Sequence, residues 1–143
     1  YILLIFEDVI LVNLNLGNNG YNYNNSKKLK HINNLSTLKN LEHLNVSGHK
    51  ISDLSILDNF KNLLSFKMSN NTAKVNSFLP ITRLSKLRYL HIDFRSHKDY
   101  ELYKENILFS NLRDIFDNEL SVSEFKKIVY KVERSERLKT LFS

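Results

Sequence analysis

The pattern Leu41-x-x-Leu44-x-Val46-x-x-His49-x-Ile51 returns 22 residues later as Leu63-x-x-Phe66-x-Met68-x-x-Asn71. A unit this short cannot bury its own apolar side, so it must stack on copies of itself. The same register places Leu11-x-x-Leu14-x-Leu16-x-x-Asn19-x-Tyr21 upstream and Leu87-x-x-Leu90-x-Ile92-x-x-Arg95-x-His97 downstream. The units start at 11, 41, 63 and 87, with gaps of 30, 22 and 24. Alternation around the central leucines predicts one short strand per unit. Between strands, Ile32-Leu35-Leu38-Leu41, Leu54-Leu57-Phe60-Leu63 and Ile81-Leu84-Leu87 step by three. That step predicts short helical or 3₁₀ turns packed behind a ladder of strands.

The long first gap holds Tyr21-Asn22-Tyr23-Asn24-Asn25-Ser26-Lys27-Lys28, a polar and turn-prone insert that reads as a loop. A fifth unit starts at Phe109-Ser110-Asn111-Leu112-Arg113-Asp114-Ile115 and breaks at Asp117. After it, Ser121-Val122-Ser123-Glu124 has the form of a capping box. Phe125, Ile128, Val129, Val132, Leu138 and Leu141 then form a helical apolar stripe. The expected organisation is a repeat ladder over 1–120, with a degenerate unit near 112, closed by a C-terminal capping helix over 121–143.

These units resemble the leucine-rich-repeat family, in its short 22-residue class of phosphatase-regulatory and internalin-type repeats. The match is best at Leu41-Glu42-His43-Leu44-Asn45-Val46-Ser47-Gly48-His49-Lys50-Ile51-Ser52-Asp53-Leu54. The composition, heavy in Asn, Lys, Ile and Leu, is similar to that of leucine-rich-repeat families in insect poxviruses and AT-rich protists. The resemblance implies an α/β repeat solenoid with a short parallel ladder on its concave face. It also implies that Asn19 and Asn71 turn inward onto backbone groups. His49 and Arg95 stand where that Asn belongs, so the ladder is expected to be irregular there, with His49 a structural substitute.

Catalytic and metal chemistry leave no trace in the chain. With no cysteine there is no disulfide, thiolate zinc site or Cys nucleophile, and a reducing compartment is favoured. None of the five histidines forms H-E-x-x-H or another helical pair. His43 and His91 are expected at equivalent outward positions two strands apart, too far for one zinc. Phosphate-binding and nucleophile-elbow patterns are missing, so the chain reads as a non-enzyme without a cofactor. Asn24, Asn34, Asn45 and Asn70 begin glycosylation sequons, a number that this Asn-rich composition produces by chance. Tyr1-Ile2-Leu3-Leu4-Ile5-Phe6 lacks the basic start and cleavage site of a signal peptide and is too short to span a bilayer. It reads as a buried strand or the tail of an earlier repeat, as in a piece of a longer protein. The expected location is intracellular, in the cytoplasm.

The outward positions of the ladder predict the contact surface row by row. They are Asn13, Asn15 and Gly17, then His43, Asn45 and Ser47, then Ser65, Lys67 and Ser69, then Tyr89, His91 and Asp93. His43, Lys67, Tyr89 and His91 are the expected anchors for a partner protein. The competing signal is charge. The net +6 lies wholly beyond residue 60, much of it on Lys126, Lys127, Lys131, Arg134, Arg137 and Lys139. These read mainly as a solvated helix face partly neutralised by Glu133 and Glu136, and secondarily as a site for nucleic acid or an anionic surface. A third reading makes the repeats a structural arm of a longer protein.

Overall fold

Strands form where the apolar residues alternate. The computed structural model describes residues 11–18, 28–107 and 121–143. In it β1 (Asn13–Asn15), β2 (His43–Asn45), β3 (Ser65–Met68) and β4 (Tyr89–Ile92) lie side by side, in chain order, as one parallel sheet. The register sets Leu14, Leu44, Phe66 and Leu90 in a single row on the inner side. Equivalent backbone bonds enter each unit: His43 N–H donates to Val12 O, Ser65 N–H to Glu42 O and Tyr89 N–H to Leu64 O. The arrangement is leucine-rich-repeat-like, with one strand per unit.

The step-of-three segments supply the opposite wall. Asn33–Leu35 and Ser55–Asn59 are 3₁₀ turns, and Leu79–Thr82 (α1) is a single α-turn that opens with Pro80, whose missing N–H costs nothing there. Leu35 N–H donates to Ile32 O, Leu57 N–H to Leu54 O and Ile81 N–H to Phe78 O. Such bonds leave every third side chain pointing at the sheet, and Ile32, Leu35, Leu54, Leu57, Phe60 and Ile81 are all buried. The bidentate pair of exposed Arg83 with Asp58, at 2.8 and 3.0 Å, links α1 to the preceding turn and holds the Asp58 carboxyl below its usual range.

At the inward Asn positions the outcome is mixed. Asn71 does what the family resemblance implies: its Oδ1 accepts from Ile51 N–H, and its Nδ2 donates to Ile51 O and Ala73 O. The expected irregularity at His49 is not found. His49 Nδ1 accepts from Leu29 N–H, which places the ring proton on Nε2, where it meets Leu16 O at 2.6 Å. An imidazole thus ties Leu29 and Leu16 together, and beside it Asn18 N–H still donates to Ser47 O and Gly48 N–H to Ser69 O. Arg95, by contrast, points to solvent and pairs with Asp93 at 2.6 Å. The inward role in that unit passes to His97, which is 1% exposed and bridges to Val75.

Gly48 marks the tightest point between units. Its φ is +79°, and a Cβ there would lie 2.1 Å from Asn18 O. Gly48→Ala is expected to destabilise by at least about 1–2 kcal/mol from the left-handed backbone alone. Asn18 must also move and strain its bond to Ser47 O. A lowered midpoint in urea checks this.

The C-terminal end is built differently from the repeats. Helices α2 (Tyr100–Ile107) and α3 (Val122–Phe142) pack against the last layer. The repeat pattern does not foresee α2. Ser121 Oγ accepts from Glu124 N–H and starts α3 as the capping box predicts. Phe125, Ile128, Val129 and Val132 are buried. The expected continuation of that stripe fails, because Leu138 and Leu141 are exposed: the helical turn carries them to the side of α3 opposite Phe125 and Val132. At the other end Leu11, Leu14 and Leu16 are half-buried around an apolar cleft of about 280 Å³ that Ile32, Leu35 and Leu38 complete. Tyr1–Phe6, Asn19, the insert from Tyr21 to Lys27 and the degenerate unit near 112 lie outside the described residues.

Candidate functional site

On the outward face, β1, β2, β3 and β4 hold two rows of side chains at a strand spacing of about 4.8 Å. His43, Ser65 and Tyr89 form one row with Asn13, while Asn45, Lys67 and His91 form the next with Asn15. His43 is therefore level with Tyr89 and not with His91. The expectation that the two histidines are equivalent fails by one pleat, two residues along the strand.

The rows differ in how much chemistry they leave available. Asn45 Nδ2 donates to Asn15 Oδ1, while the two carboxamides also receive the Ser47 and Gly17 N–H groups. Ser47 offers little surface to a partner: it is 8% exposed and its Oγ accepts from the Ser69 hydroxyl and N–H. Asp93 is occupied by Arg95 and by capping the turn that follows β4. His43, Lys67, Tyr89 and His91 differ: their side chains make no hydrogen bond or ion pair among the described residues. Tyr89 is 56% exposed on β4, the last strand of the sheet. The order on this face runs from a self-satisfied Asn-rich end to an open aromatic and basic end.

The second charged region divides on inspection. Lys127, Lys131, Arg134 and Arg137 are exposed on α3. Lys126 instead donates to Leu84 O, and Lys139 pairs with Glu136 at 2.8 Å. Glu133 does not neutralise a solvated face as expected. It turns inward, where Oε1 accepts from Phe78 N–H at 2.7 Å, Tyr103 OH at 2.7 Å and His97 Nε2–H at 3.0 Å, and Oε2 accepts from the Ser77 hydroxyl. His97 Nδ1 accepts from Asp99 N–H, so its ring proton sits on Nε2, facing Glu133. Burial pushes the Glu133 carboxyl up, but the bonds from His97, Ser77, Phe78 and Tyr103 outweigh it and leave the group below the usual glutamate value. Burial and the adjacent Glu133 carboxylate push the Tyr103 phenol up, which keeps it a donor.

This carboxylate escapes sequence reasoning because its partners lie 30 to 56 residues away and share no periodic position with it. The one available signal is that Glu133 falls next to Val132 on the apolar stripe of α3. Among the described residues every buried side-chain nitrogen or oxygen has a partner, and no group of three or more His, Asp or Glu residues could hold a metal ion. No helix described is long and apolar enough to cross a membrane.

No protein-family model matches the chain, and no curated protein matches it. Among solved structures, internalin C2 from Listeria monocytogenes is similar at 27% identity and a TM-score of 0.39, over 42% of this chain. The chain covers 26% of that protein.

Proposed function

We propose that the chain is a non-catalytic interaction module, a short leucine-rich-repeat solenoid that binds a partner protein through the concave face of its sheet. The observation that carries this reading is the exposed Tyr89 on β4, with His91 on the same strand, Lys67 on β3 and His43 on β2, none of the four bonded through its side chain among the described residues. A large aromatic on a rigid strand loses little freedom on binding, and polar neighbours with open valences supply orientation. α3 acts as the cap, shielding the apolar layer behind β4.

Immobilised chain and a variant carrying Ala at His43, Lys67, Tyr89 and His91 are compared as bait in native extract, at low and high salt. A protein retained by the parent at high salt is expected to bind the variant roughly thirtyfold or more weakly, as for removal of an aromatic hot spot. Equal retention by both baits overturns the reading. The substituted side chains lie outside the core, so the melting temperature should barely change.

A further inference from the structure

The outward side of α3 carries a stripe that the repeat architecture does not use. Phe125, Ile128, Val129 and Val132 fix the inward side of this helix. At 100° per residue, Lys127, Tyr130, Lys131, Arg134, Leu138 and Leu141 project from the opposite side, following the three- and four-residue spacing of a single face. All six are exposed, with Tyr130 at 46%, Leu138 at 48% and Leu141 at 76%. Arg137 borders them. From Lys127 to Leu141 the stripe is about 21 Å long.

No carboxylate interrupts it. Glu133 is turned into the body by four donors, and Glu136 lies off the stripe, paired with Lys139. Cations thus share one exposed face of α3 with an aromatic and two leucines. Nucleic acid would engage the cations and leave Leu138 and Leu141 without a partner. A bilayer with anionic headgroups takes both: phosphates and carboxylates receive the Lys and Arg heads, whose aliphatic stems lie along the interface, while Tyr and Leu enter the headgroup boundary.

We propose that this face of α3 docks the protein onto an anionic lipid surface. The two leucines and one tyrosine are too few to hold a bilayer by apolar burial alone, so attachment requires acidic lipid and is reversible with salt.

The test is co-sedimentation of the full chain with phosphatidylcholine vesicles, with and without phosphatidylserine. Binding is expected only with phosphatidylserine and is expected to fall as salt rises. Glu at Lys127, Lys131 and Arg134 together should weaken it by roughly a hundredfold or more. Ser at Leu138 and Leu141 should weaken it while leaving its dependence on salt unchanged. No sedimentation with phosphatidylserine, or equal sedimentation of the charge variant, overturns the proposal. So does binding of duplex DNA that ignores the leucine substitutions while vesicles are not bound. Self-association that only the leucine variant abolishes, without vesicle binding, assigns the face to a second copy of the chain instead. Every substituted residue is exposed, so circular dichroism and melting should match the parent.

Discussion

Glu133→Ala is expected to lower the unfolding free energy by about 3–5 kcal/mol, the range found when one partner of a buried charged network is removed. The alanine leaves the Phe78 N–H, the Tyr103 hydroxyl, His97 Nε2–H and the Ser77 hydroxyl without their common acceptor. Tyr103 and His97 are almost fully buried, so their donors cannot turn to solvent. Each stranded donor costs about 1–3 kcal/mol, and a simple sum would exceed the stated range. A cleft of about 290 Å³ bordered by Ser77, His97 and Glu133 leaves room for water to move into the vacated acceptor position, which would limit the loss. Glu133→Gln keeps one acceptor oxygen and should cost about half as much. Thermal melts of the three proteins check this, with a shift on the order of 10 °C for the alanine variant.

The same residue gives the expected dependence on acid. The folded carboxyl titrates below the ordinary glutamate value of 4.5, so its stabilisation is complete at neutral pH. It should begin to fall as the pH drops below about 4.5, where the unfolded chain takes up the proton first, and vanish once the pH passes the depressed folded value. The stability difference between the parent and Glu133→Ala should therefore narrow in that interval. A difference that stays constant down to acid unfolding would contradict the assignment of Glu133 as an ionised acceptor.

Phe78→Ala is expected to cost about 3–5 kcal/mol, since a fully buried aromatic leaves a cavity that its neighbours cannot fill. Its ring centroid lies 4.7 Å from that of His97, 5.6 Å from Tyr103, 5.7 Å from Phe125 and 5.9 Å from Phe94. One side chain thus joins α1, the turn after β4, α2 and α3. Urea unfolding measures the loss, and Tyr130→Ala on the exposed side of α3 should change stability by no more than about 0.5 kcal/mol. Because the Phe78 ring packs on His97 and Tyr103, which both donate to Glu133, the double variant should lose less than the two single losses added together.

Where each residue was legible depends on how far away its partners are. Leu44, Phe66, Leu90 and the Ile32, Leu54 and Ile81 turns were readable because their neighbours occupy the same slot in the next unit. The face carrying Lys67 and Tyr89 followed from strand alternation. Reading went wrong where a position departed from that rule. Ser47 faces outward by parity yet is closed off by Ser69. His43 and His91 belong to different pleats. Leu138 and Leu141 were read into the α3 stripe, yet the helical turn carries them round to its outward side. His49 was expected to disturb the ladder, but two ring nitrogens set across the imidazole reach Leu29 and Leu16 as a carboxamide would reach nearer groups.

Periodic spacing of apolar residues was sufficient to specify the parallel ladder, its inward and outward faces and the turns behind it, because stacked units see the same environment and burial is additive from one to the next. The closure at the C-terminal end had no such repetition to reveal it. Its aromatic cluster, the His97 tautomer and the inward turn of Glu133 depend on residues brought together from four elements, and only the folded arrangement decides which buried donor meets which acceptor.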